Sequence, residues 1–219
     1  MTIVSAIIFM AERFWQVELP SEGEGIGMGH GKTVVVMGVC GVGKSLVAER
    51  LSQALGLAMV EADDFHSPSN KAKMSKGLAL TDADRMPWLD AVIHAARTGC
   101  LEAGGVVVAC SSLRRIYRDR LRGGLKDCLF IHLTGEAGLI EARLQSRKNH
   151  FVGANLLFSQ LSVLESLEAD EAGFALDISL SADEVVEKAL EELRATCGTA
   201  CNDASAHEGV QSMKGRNSC

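Results

Sequence analysis

The strongest constraint on this chain is the run Gly38-Val39-Cys40-Gly41-Val42-Gly43-Lys44-Ser45, which fits the pattern G-x-x-x-x-G-K-[ST]. Its neighbours give the pattern meaning. Residues 33–37 read Thr-Val-Val-Val-Met, a β-branched run suited to a strand buried on both faces. Residues 45–55 put Leu46, Val47, Leu51 and Leu55 on one helical stripe, which Gly56 closes. A strand, a glycine-rich turn and a helix in that order predict an anion cradle. Gly38, Gly41 and Gly43 let the backbone curl until the N–H groups from Gly38 to Leu46 face inward, and the helix adds its positive N-terminal end. Lys44 is expected to bridge the β- and γ-phosphates of a nucleotide, and Ser45 to offer its hydroxyl to Mg²⁺. The guanine-reading N-K-x-D is absent from the sequence, which leaves ATP as the expected nucleotide.

Beyond the loop, β-branched runs alternate with helix-period segments. Strands are expected at 57–61, 106–110, 128–133 and 175–178, and helices at 69–76, 84–96, 113–122, 136–147 and 183–194. The helix at 84–96 is expected to begin near Pro87, since proline is tolerated in a first turn. Such alternation predicts an α/β fold, a mainly parallel five-stranded sheet covered by helices on both faces. Residues 1–31 end in a glycine-rich stretch and predict a flexible extension, and Met28 offers a second start for translation. Residues 32–196 form the expected domain. Residues 197–219 turn small and polar and predict a disordered tail.

With 219 residues and 47% hydrophobic content, the chain can bury the core of one such domain. A formal charge of -6 provides no broad basic field for nucleic acid, so phosphate chemistry must rest on local cations. No stretch reaches the roughly 20 apolar residues that span a bilayer. The seven cysteines are odd in number and mostly inside apolar runs, which predicts packed thiols in a reducing, cytoplasmic compartment.

Directly after the strand expected at 57–61 comes Glu61-Ala62-Asp63-Asp64-Phe65-His66, acids at the carboxyl end of a sheet where α/β folds gather ligands. Read as an extended segment, Glu61 and Asp63 point to one side. One could then sit near the metal and the other accept a proton from an attacking hydroxyl. His66 is a candidate hydroxyl contact, or a loop histidine near the next helix. Lys73 and Arg85 are cations flanking the same pocket, with an ion pair between Arg85 and Asp82 or Asp84 as the structural alternative. Trp88 and Leu89 read as core. Ser111 and Arg114 follow a strand end and face the same cleft.

The blocks Asp63-Asp64-Phe65-His66, Asn70, Lys73-Met74, Gly77, Leu80-Thr81-Asp82, Asp84-Arg85-Met86-Pro87-Trp88-Leu89, Ala109-Cys110-Ser111-Ser112-Leu113 and Tyr117-Arg118-Asp119 together resemble the gluconokinase family of P-loop carbohydrate kinases. The resemblance runs from about residue 33 to 193. It implies a P-loop NTPase fold like that of nucleoside-monophosphate and shikimate kinases, a lid at about 147–155, and transfer of the ATP γ-phosphate to the 6-hydroxyl of D-gluconate. It also implies Asp63 as base or hydroxyl orienter, Glu61 with Ser45 in the Mg²⁺ shell, and Asp63, His66, Asn70, Lys73, Arg85, Ser111 and Arg114 around the acceptor. Arg143 and Arg147 correspond to the arginines of the lid, one helical turn apart, and the family is commonly dimeric. The chain departs from the family at Asn149, Val152, Gly153, Leu161, Ser166, Cys40 and Ser112, and none of these removes a charged group. Two other readings stay open, a kinase of another small hydroxy acid such as shikimate and a catalytically impaired nucleotide-binding regulatory protein. Gluconate-dependent turnover separates them.

Overall fold

The structure is a computed structural model that describes residues 31–146 and 153–206, without the side chains of 153–155 and 197–206. The N-terminal extension up to residue 30, Arg147, the lid departures at Asn149 and Val152, and residues 207–219 therefore lie outside the described residues.

Five strands, β1 (Lys32–Met37), β2 (Ala58–Glu61), β3 (Gly105–Ala109), β4 (Cys128–Thr134) and β5 (Gly173–Asp177), form one sheet in the order β2-β3-β1-β4-β5. Every pairing is parallel. Parallel neighbours need crossover connections, and helices supply them. These are α1 (Lys44–Leu55), α2 (Pro68–Ser75), α3 (Asp82–Ala103), α4 (Arg115–Gly124), α5 (Ala137–Ser146), α6 (Gly153–Val163) and α7 (Ala182–Ala206).

The two-residue period of β1 divides the core. Val34 and Val36 face one side, with Val47, Ala48 and Leu51 of α1 and Val185, Ala189, Leu190 and Leu193 of α7. Val35 and Met37 face the other, with Trp88, Leu89, Val92 and Ala96 of α3 and Tyr117 and Leu121 of α4. Both layers are dry at the centre: Leu51, Leu89, Leu121 and Phe130 are fully buried. Truncating Phe130 to alanine would cost about 3–5 kcal/mol.

Several boundaries differ from expectation for identifiable reasons. Thr81 and Asp84 form a reciprocal capping box, so α3 starts at Asp82 and Pro87 lies inside it rather than opening it. The helix then runs on to Ala103, and Gly99 lets it pass close to β2, where an added Cβ would meet Ala58 Cβ at 2.9 Å. After Glu61 the chain does not stay extended; Ala62–Phe65 coils into a 3₁₀ turn, which corrects the picture of Glu61 and Asp63 on one side of a strand. The last helix is described as far as Ala206, inside the stretch from residue 197 for which the sequence predicts a disordered tail. Helix α6 is not among the expected elements: it overlaps the expected lid at about 147–155 only in its first three residues, and no element is expected over the rest.

Candidate active site

The carboxyl ends of β1, β2 and β3 carry the loops of interest, and β1 is the central strand. The phosphate loop leaves β1 through Gly38, Gly41 and Gly43, with φ of 136°, 85° and 97°. Those left-handed values suit glycine and little else. At Gly38 an added Cβ would also lie 2.7 Å from the Leu133 carbonyl oxygen, while its own N–H donates to the Ser111 carbonyl at 3.3 Å. Val39 and Val42 are buried, so their side chains pin the loop to the core and their backbone is what faces out. Gly43 caps α1 without any side-chain hydrogen bond, and Ser45 and Leu46 in its first turn are exposed. An anion arriving there meets the open end of a helix.

Lys44 Nζ donates to the Val39 carbonyl at 3.0 Å. Burial pulls the lysine below its ordinary pKa of 10.5, and the charges of Asp63, Cys110, Cys40 and Glu61 push in the opposite direction. Lys44, in the loop after β1, and Glu61 and Asp63, at and just after the end of β2, therefore lie at the same carboxyl edge of the parallel sheet, near enough to feel one another's charge. Had they lain on opposite sides of the molecule, phosphoryl transfer between them would have been excluded. Cys110 lines the same space as an inert thiol, its pKa pushed up to about 11 mainly by burial.

On the acceptor side, Asp63 is largely exposed while His66 is buried, with His66 Nε2 3.8 Å from Asp63 Oδ1. The imidazole stacks on Trp88 at 4.3 Å between centroids, and Trp88 Nε1 donates to the Ala62 carbonyl at 2.7 Å. Trp88 and Leu89 are core, as the sequence suggested. Burial first of all lowers the His66 pKa, helped by the charges of Arg85 and Lys71 and opposed by Asp63. His66 Nδ1 and Ser112 Oγ are the two buried side-chain polar atoms among the described residues without a hydrogen-bond partner.

The two acids offered as the structural alternative for Arg85 pair with other cations. Lys73, not Arg85, pairs with Asp84 at 2.6 Å, and this contact with the Thr81 cap holds the Asp84 carboxyl at a pKa of about 2. Arg114 takes Asp82, with Nη1 2.8 Å from both carboxylate oxygens, and Tyr117 OH donates to the same carboxylate at 2.7 Å. Arg85 donates to the Leu80 carbonyl at 3.4 Å and lies 5.5 Å above the Tyr117 ring, where a cation–π contact is favourable. Asn70 is buried and ties α2 to α3 by donating to the Asp84 carbonyl at 2.9 Å. Ser111 contributes its carbonyl to the Gly38 N–H, so the β3 loop and the phosphate loop are joined through it.

Behind this cleft, Arg118 is wholly buried against Glu171, with Nε to Oε1 at 2.6 Å and Nη2 to Oε2 at 2.9 Å. Its guanidinium also donates to the carbonyls of Glu165 and Ser166 at 2.9 Å and 3.0 Å, clamping the segment after α6 onto the loop after β3. Sequence reading missed this pair, because no local spacing links residues 53 apart. Arg143 donates to the Ile178 carbonyl at 2.7 Å, beyond the end of β5. Gln160 of α6 was also missed: its Oε1 accepts the Cys40 N–H of the phosphate loop at 2.5 Å.

No protein-family model matches the chain. Individual proteins do. It is 41% identical over 174 residues to the gluconokinase of Arabidopsis thaliana, covering 74% of this chain and 92% of that protein. It is 42% identical over 163 residues to the gluconokinase of Gluconobacter oxydans, covering 74% of this chain and 91% of that one. Among solved structures, a gluconokinase from Sinorhizobium meliloti 1021 superposes with a TM-score of 0.70 at 35% identity, covering 80% of this chain and 98% of that one. The adenylyl-sulfate (APS) kinase CysC of Mycobacterium tuberculosis, at 20% identity and a TM-score of 0.54, shares the fold alone. The phosphate loop, the all-parallel sheet and near full-length similarity to these enzymes agree, and the chain belongs to the gluconokinase family of P-loop kinases.

Proposed function

We propose that the chain transfers the γ-phosphate of ATP to the 6-hydroxyl of D-gluconate, giving 6-phospho-D-gluconate. The observation that carries this reading is that Lys44, in the loop after β1, and Glu61 and Asp63, at and just after the end of β2, lie at one carboxyl edge of the parallel sheet, which supports a phosphate donor and a hydroxyl acceptor meeting there. Gluconokinase relatives matched over most of their length supply the acceptor's identity.

In this reading the loop amides from Gly38 to Leu46 and Lys44 hold the phosphates, and the charge spreading over the transferred group is met by groups already in place. Asp63, exposed at the cleft, orients the hydroxyl and takes its proton as the oxygen attacks the γ-phosphorus and ADP departs. His66 and Arg85 bind the acceptor's hydroxyls and carboxylate. Lys73, Asn70, Ser111 and Arg114 hold the pocket's shape through the contacts described above, which supports a positioning role. From the family resemblance, Arg143 is read as adding positive charge on the nucleotide side; Arg147, its expected companion, lies outside the described residues.

Magnesium fits this donor set. An ion carried in on ATP needs only one or two hard oxygen ligands from the protein, and Ser45, exposed in the first turn of α1, and Glu61, at the end of β2, would supply them. When bound, it neutralises charge on the phosphates. No described helix is long and apolar enough to cross a membrane. Cys100, Cys110 and Cys128, which carry thiols and form no disulfide, support a cytoplasmic setting.

A coupled assay for 6-phosphogluconate, with glucose and shikimate as controls, tests the proposal. Gluconate-dependent ADP formation is expected. Tight ATP binding without it would overturn the reading in favour of a nucleotide-binding regulator.

A further inference from the structure

Besides the Gly38 N–H, two further donors of the phosphate loop meet acceptors within the chain. Lys44 Nζ rests on the Val39 carbonyl at 3.0 Å, and the Cys40 N–H rests on Gln160 Oε1 at 2.5 Å. Because a backbone N–H can only donate, the contact fixes which atom of the carboxamide faces the loop. The second interaction is not a chance surface contact. Leu157, three residues earlier on α6, is 1% exposed and packed in the core with Leu144 and Ile140 of α5. Those two residues are also what an added Cβ at Gly41 would strike, at 2.7 Å and 3.1 Å, so α5 lies directly against the loop. Residues i and i+3 share a helix face, and burial of Leu157 therefore aims Gln160 at the loop.

We propose that Gln160 is an internal placeholder for a phosphate oxygen. Its neutral carboxamide oxygen accepts from the Cys40 N–H, and a triphosphate that reaches this N–H must displace it. A phosphate oxygen wins the exchange because hydrogen bonds to charged acceptors are roughly twice as strong as neutral ones. Arrival of the nucleotide thereby releases α6 from the loop. This inference rests on the phosphate loop being the ATP site.

The test compares Gln160→Ala and Gln160→Glu with the wild type by isothermal titration calorimetry, using ATP and, separately, inorganic tripolyphosphate. Removing the competitor should tighten both ligands by about three- to tenfold, the worth of one neutral hydrogen bond. The carboxylate of Gln160→Glu should grip the same N–H more strongly and repel the phosphates, weakening both ligands by about tenfold or more. Opposite signs for the two substitutions, equal for the two ligands, are the expected result. Weaker or unchanged ATP binding in Gln160→Ala would overturn the proposal, making Gln160 a direct nucleotide ligand or a bystander. If Gln160→Ala should fail to fold, Gln160→Glu alone still decides: binding as tight as the wild type's overturns the idea. Failure of the wild type itself to bind ATP would instead sink the kinase reading.

Discussion

Replacing Arg118 with methionine tests the clamp behind the active site. Methionine keeps much of the apolar stem and removes the guanidinium. What remains is the Glu171 carboxylate, fully buried in the wild type, and the carbonyls of Glu165 and Ser166 without their donor. Breaking a buried pair from one side typically destabilises by about 3–5 kcal/mol. For a chain of this length that lowers Tm by about 6–20 °C. The pH dependence carries a sharper signature. In the wild type the Arg118 guanidinium lowers the Glu171 pKa below its ordinary 4.5, so the pair's contribution is fully present above pH 4.5 and disappears as pH falls through the lowered value. In the variant, burial without a partner raises that pKa instead, and stability falls as pH climbs through it. The gap between variant and wild type should therefore widen from pH 4 to pH 8, read from urea unfolding at each pH. Adding Glu171→Gln to Arg118→Met should recover part of the loss by removing the orphaned charge. A loss below about 1 kcal/mol that does not vary with pH would refute the reasoning.

Lys44→Met should lower kcat/KM by at least about a hundredfold, with the fold intact by circular dichroism. Asp63→Asn should cut kcat by about a hundredfold or more while leaving ATP affinity within a few-fold, since it removes proton acceptance and not phosphate binding; full turnover would remove Asp63 from the base role. Gly38→Ala should abolish nucleotide binding by calorimetry, because its Cβ would sit 2.7 Å from the Leu133 carbonyl oxygen at a φ of 136°. His66 has its pKa lowered from 6.5, so its neutral form stabilises the fold above that value and the contribution is lost as pH falls through the depressed one. Thermal melts of His66→Gln should accordingly show a shallower fall in Tm below pH 6.5 than the wild type.

The sequence disclosed the elements whose cause is local. Val34 to Met37 alternate between two cores because a strand buried on both faces needs apolar residues at every position. The phosphate loop was legible for the same reason, since its glycines, lysine and flanking elements are contiguous. Helix α6 was not: in Gly153–Val163 the apolar residues surround the axis, so that Leu157 is buried while Leu156, Phe158 and Val163 are exposed, and no stripe marks the buried face. Partner choice among the charges was equally hidden. Arg114 reaches Asp82 across 32 positions and Arg118 reaches Glu171 across 53, distances at which only tertiary packing decides who meets whom. The 3₁₀ turn at Ala62–Phe65 escaped because four residues are too few to show a period.

Pairing of Lys73 with Asp84 and of Arg114 with Asp82 leaves Arg85, among the described residues around the acceptor, as the cation held by a carbonyl and an aromatic face in place of a carboxylate. In the proposed pocket that charge stands ready for an acceptor's carboxylate, with Lys71, itself held by the Asp64 carbonyl at 3.2 Å, as a second cation on the His66 side.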